Sequence, residues 1–136
     1  MKKEKYSYLF ARLTMGMSFF GHGAIRLTKL SVFSYGMVEQ FSKSFLPGWS
    51  VLVFGFVLPF LEFTTGLLLL LGLFTRFAIV SGVAIILLLI IGSSIIEQWQ
   101  AIFVQIVYGA YLALLFNFTG YNAISVDELI KKPGQV

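Results

Sequence analysis

Cysteine is absent from this chain, and histidine occurs once, as His22. Without a thiol there is no disulfide, no thiol nucleophile and no lipid-bearing cysteine, so any redox work needs a bound cofactor or a partner. A lone histidine with no clustered carboxylates argues against a metal or haem site. No hydrolytic triad, phosphate loop or dinucleotide fingerprint occurs either, so no residue is assigned a catalytic role. Charge is scarce: 12% of 136 residues, with 10 Lys and Arg against 6 Asp and Glu. The basic residues are scattered over helix ends and form no single stripe, which speaks against nucleic acid as a partner.

What the chain has in abundance is hydrocarbon. It is 58% hydrophobic with a mean hydropathy of +0.90, far from the composition of a soluble domain, and its length suits one domain. Four apolar stretches, at roughly 6–25, 50–73, 77–96 and 101–118, each approach the ~20 residues that a helix needs to cross a bilayer. The fold expected is therefore all-α, a single integral membrane domain built as a four-helix transmembrane bundle. The first stretch has a basic start, as a signal peptide does, but Arg12 interrupts its core and no small-residue cleavage site follows. It is read as a span.

In this arrangement Lys2, Lys3, Lys5, Arg76, Lys131 and Lys132 fall on one side, and Arg26, Lys29 and Lys43 on the other. The excess of basic residues puts both termini in the cytoplasm, with residues 27–49 as the extracytoplasmic connection and Trp49 and Trp99 at the outer interface. Phe33, Met37, Phe41 and Phe45 recur every fourth residue in that connection. They fit either a short amphipathic helix or a loop with aromatic anchors. The tail beyond Gly120 reads as surface-bound or frayed.

Ionisable groups inside such spans are costly and call for a reason. At 100° per residue, Arg12, Gly16, Gly23 and Arg26 share one face of the first span, which should look inward, while His22 lies ~80° away. Glu62 shares a face of the second span with Gly55, Pro59 and Gly66. Its height, judged from the interfaces, allows it to meet Arg12. That pair reads either as a packing device or as the polar floor of a ligand cavity. His22 can bond to a neighbouring helix or to Gln98, or serve a quinone carbonyl. Arg26 can snorkel to headgroups or hold an anion such as thiosulfate. Gln105 and Tyr108 are weaker candidates.

These residues resemble a known family. Arg12, then Phe20-Gly21-His22-Gly23 followed by a cation, then Glu62-x-x-x-Gly66 leading to Leu71-Gly72-Leu73-Phe74-Thr75-Arg76, are similar to the DoxX family of small four-helix bacterial membrane proteins. The likeness covers about residues 8–95. The last span matches only in length and hydrophobicity, and Arg26 stands where members commonly carry Lys. The resemblance implies a multi-pass protein of the bacterial inner membrane, related to the membrane subunit of thiosulfate:quinone oxidoreductase. Taken with the buried polar residues, the expectation is a membrane subunit of a quinone-linked redox assembly that holds a quinone or small apolar ligand between spans one and two, with Arg12, His22, Arg26 and Glu62 as ligand-binding residues. Such a subunit works with the lipid bilayer and with a protein partner or further copies of itself. The competing expectation is a noncatalytic accessory or assembly subunit of a larger membrane complex. A small transporter is the third, though four spans leave little room for alternating access without oligomerisation.

Overall fold

The computed structural model describes residues 2–131. Its helices are α1 (Lys2–Thr28), α2 (Leu30–Gln40), α3 (Gly48–Leu71), α4 (Thr75–Ile95), α5 (Trp99–Asn117) and the short α6 (Val126–Lys131), with one turn of 3-10 helix at Thr119–Tyr121. No strand occurs among the described residues. Three of the helices, α3, α4 and α5, are long and apolar enough to cross a membrane. α1 is not apolar enough to join them by composition, although it packs along α3 more extensively than any other pair of helices packs.

Small residues explain that packing. A Cβ added at Gly66 would lie 2.6 Å from Cα of Phe20, and one added at Gly23 would lie 2.6 Å from Cα of Phe63. The two backbones are in contact, as small residues in a bilayer permit. Arg12, Gly16, Phe19 and Gly23 are buried, so the expected inward face of α1 does look inward. Phe19 reaches across to Gly82 of α4, where Leu112 of α5 also arrives, and this junction centres the core.

The connection 27–49 folds differently from a loop. α2 runs antiparallel to the first half of α3: a Cβ on Gly55 would sit 3.0 Å from Cα of Ser34, and one on Gly48 would lie 3.7 Å from Val38. Phe33, Met37 and Phe41 are half-buried, whereas Phe45, beyond the helix, is exposed. Because α1 is also antiparallel to α3, α2 continues the course of α1 after a break at Thr28 and Lys29, beside the middle of α3.

The tail is tied down. Gly72 ends α3 in the left-handed region (φ 66°), where glycine is unstrained. Its carbonyl accepts the amide of Asp127 at 3.0 Å. The Asp127 carboxylate in turn accepts the amides of Phe74 (2.7 Å) and Thr75 (2.9 Å), satisfying donors at the start of α4. Lys132 and the rest of the expected frayed tail lie outside the described residues.

Partial burial pushes the Asp127 carboxyl up, but the hydrogen bonds from Thr75 and Phe74, with Lys131 nearby, outweigh it and hold it below its usual value. A carboxylate whose folded pKa is depressed contributes stability in full above the unfolded value and loses it as pH falls through the folded one. Hydrogen-exchange protection at Phe74 and Thr75 should therefore hold at neutral pH and fade only below about pH 4. Asp127→Ala should remove it at every pH, at about 1 kcal/mol, the usual cost of losing a helix cap.

Candidate functional site

Arg12 and Glu62 do not meet. Arg12 is 2% exposed at the level of the α3–α4 turn, and it donates from Nη1 to Oδ1 of Asn122 (2.6 Å) and from Nη2 to the carbonyl of Ile124 (2.9 Å). Asn122 passes the link on, donating from Nδ2 to Oγ1 of Thr75 at 3.0 Å. The guanidinium also lies against Gly72, where a Cβ would come within 2.7 Å of Cζ. Arg12 thus clasps α1 to the tail and to the start of α4, away from the other three candidates.

Glu62 takes Arg26 instead. Arg26 Nη1 donates to both carboxylate oxygens, at 2.6 and 2.7 Å, and Cζ sits 4.7 Å from the centre of the Phe33 ring. The Glu62 side chain is 5% exposed and that of Arg26 27%. The pair joins the last turn of α1 to the middle of α3 just below the α1–α2 break, and α2 supplies the aromatic face that backs the cation.

Arg26, Glu62, His22, Ser18, Gln105 and Tyr108 line one cavity of about 300 Å³. Apolar walls come from Phe19 of α1, Ile86 and Leu89 of α4, and Val104 of α5. The site therefore lies among α1, α3, α4 and α5, not between the first two spans alone. It borders the seam between α1 and α5, which pack together far less than α1 and α3 do.

Nδ1 of His22 is 2.7 Å from the carbonyl of Ser18, one turn back on α1. A carbonyl only accepts, so Nδ1 carries the proton, and in that tautomer Nε2 is the acceptor of the ring. Ser18 Oγ and the Tyr108 hydroxyl share a hydrogen bond at 2.6 Å, bridging α1 to α5. Gln105 donates from Nε2 to Oγ of Ser93 at 2.9 Å, while its Oε1 is buried with no partner. A buried acceptor without a donor is costly, and Gln105 is one of the residues that line the cavity.

The structure thus gathers three of the four strongest candidates, together with Gln105 and Tyr108. The four-residue spacing of Ser18 and His22 on one helix was the available signal for the missing serine. Nothing in the sequence marks Ser93, which works through Gln105 on a different helix.

Comparison with curated proteins and with solved structures gives no match. The model of the DoxX family matches residues 7–104, nearly the whole of α1 through the first turn of α5, and so includes every polar group of the cavity on α1, α3 and α4. A match over that much of the chain, with apolar helices suited to a multi-pass membrane protein, makes this chain a member of the DoxX family.

Proposed function

We propose that the chain is a membrane subunit of a quinone-linked redox assembly and that its cavity binds the quinone headgroup, in the reduced, quinol form. The unpartnered Oε1 of Gln105 carries this reading. With Nε2 of His22 it gives the cavity two acceptors, and a quinol offers two hydroxyl donors. The apolar walls suit a ring, and a volume of about 300 Å³ is at the small end of ligand pockets. The seam between α1 and α5 gives an isoprenoid tail a way out to lipid. A quinol carries two electrons and two protons; this chain's residues hold its hydroxyls and exclude water. Arg26 is the cation among the residues that line the cavity, and its neutralisation by Glu62 disfavours thiosulfate and favours an uncharged ligand. The protein partner that exchanges electrons with the quinol, and any further copies of this chain, belong to the same reading.

As a membrane topology we propose four crossings in an inner membrane, with α1 and its continuation α2 together crossing beside α3 and both termini cytoplasmic. Lys2, Lys3, Lys5, Arg76 and Lys131 gather at one end of the bundle. Arg26 and Lys29 lie at the α1–α2 break beside the middle of α3, so they no longer count for the opposite side.

Titration of the purified protein with a short-chain quinol should raise its melting temperature, and the matching quinone should do so less. His22→Phe should weaken quinol binding about tenfold, the equivalent of one hydrogen bond of ~1–1.5 kcal/mol. No shift with either form, and no quinone carried through purification, would sink the reading. If His22→Phe also leaves electron transfer untouched while Glu62→Gln disperses the partner complex, the accessory-subunit reading takes its place.

A further inference from the structure

The seam between α1 and α5 holds a second cavity, of about 490 Å³, near the start of α1 and the end of α5. Inside it lie Tyr8, Ala11, Tyr111 and Leu115; Lys3, Glu4, Ser7 and Tyr121 are exposed around it. Its two buried-side hydroxyls are already committed: Tyr8 donates to the carbonyl of Leu115 at 3.1 Å and Tyr111 to that of Ala11 at 2.9 Å. What remains for a guest is hydrocarbon and ring surface. Leu114 and Phe118 line the cavity too and are 60% and 47% exposed, so it opens sideways.

It is not an annex of the first cavity. The Tyr111–Ala11 and Ser18–Tyr108 hydrogen bonds cross the seam between the two, so a chain held in one does not thread into the other. Charge at the mouth is also different. Lys3 lines the mouth beside Glu4, and Lys2 and Lys5 are exposed on the same first turn of α1, whereas the first cavity holds a matched pair. An apolar slot open to the side beneath an excess of ammonium groups complements an amphiphile with an anionic head.

We propose that this cavity binds one anionic phospholipid, with an acyl chain between α1 and α5 and the phosphate at Lys3. Tyr121, whose ring lies 6.2 Å from that of Phe118, is exposed at the same mouth, where an interfacial tyrosine would meet the headgroup. The lipid fills the seam where α1 and α5 pack least, and so adds to the hydrogen bonds that already join the two helices.

Native mass spectrometry of the detergent-purified protein, offered equal amounts of phosphatidylglycerol and phosphatidylcholine, tests this. One phosphatidylglycerol should be retained per chain in preference. Lys3→Gln should reduce that preference about fivefold, the effect of one basic residue at a membrane surface. Ala11→Phe should abolish retention by filling the slot; Lys3→Gln keeps the test valid if Ala11→Phe misfolds, because Lys3 is exposed and outside the core. Equal retention of both lipids, an unaltered preference in Lys3→Gln, or displacement by a short-chain quinol would each overturn the proposal. Glycerol phosphate should not bind; binding as tight as the lipid's would mean a phosphate site and no acyl slot. Loss of quinol binding in His22→Phe should leave lipid retention unchanged, which separates this site from the other.

Discussion

Arg26→Met should lower the unfolding free energy of the detergent-solubilised protein by about 3–5 kcal/mol, the penalty for removing one ion of a buried pair and leaving the other uncompensated. The stranded group is Glu62, whose side chain is 5% exposed and whose two oxygens both rest on Arg26 Nη1. Glu62→Gln should cost less, because Arg26 is 27% exposed and keeps the Phe33 ring. The double variant Arg26→Met with Glu62→Gln should recover most of the loss, since no buried charge then lacks a partner. Arg12 provides the control. Combined with Glu62→Gln, Arg12→Met should be additive to within about 0.5 kcal/mol, as for residues that share no partner. Strong coupling of Glu62 to Arg12, and none to Arg26, in denaturant titrations would refute the pairing.

The second large effect belongs to a methyl group. Gly66→Ala should destabilise by about 3 kcal/mol, the upper end of overpacking, because the added Cβ meets backbone that cannot swing aside. Cα and Cβ of Phe20 would be 2.6 and 2.8 Å from it, so α1 and α3 must part. Gly23→Ala meets Phe63 in the same way and should behave alike. Gly21→Ala, on the same helix but with nothing within 4 Å of the new atom, should be neutral or stabilising by about 0.5–1 kcal/mol, since alanine suits a helix better than glycine. Parallel melting curves of the three variants would decide the matter. Should Gly21→Ala and Gly66→Ala melt together, the contact between the backbones is not what holds the helices.

The difference between the expected and observed ion pairs has a geometric cause. Arg12 and Arg26 are fourteen residues apart, ~1400° of helix, and so lie only ~40° apart on one face but ~21 Å apart in height. Angular counting identified the inward face and could not say which arginine meets Glu62. Height has to be measured from helix ends, and α1 begins at Lys2 and breaks at Thr28, neither of which composition marks. The glycine contacts of the α1–α3 interface set the register, and they place Arg26 opposite Glu62.

Other features were legible for good reasons. Hydropathy gave the all-α membrane class, and the glycines and arginines gave the buried face of α1, because both signals are local to one helix. The partners of Arg12 were illegible because Asn122 and Ile124 belong to a tail with no apolar period of its own. The course of α2 was only half legible: the stripe of Phe33, Met37 and Phe41 suggested a helix, but a surface helix and one packed on α3 bury the same stripe. Gln105 was undervalued since its importance depends on what Ser93 leaves unbonded.

The clasp on Arg12 also bears on how the chain is made. The arginine and Asn122 are separated by 110 positions, and at ~5–20 residues per second of synthesis the partner emerges on the order of ten seconds later. Throughout that interval the first helix holds a guanidinium that the finished protein buries and whose carbonyl and amide partners have yet to be translated. Assembly of this bundle is therefore completed from its last residues back to its first.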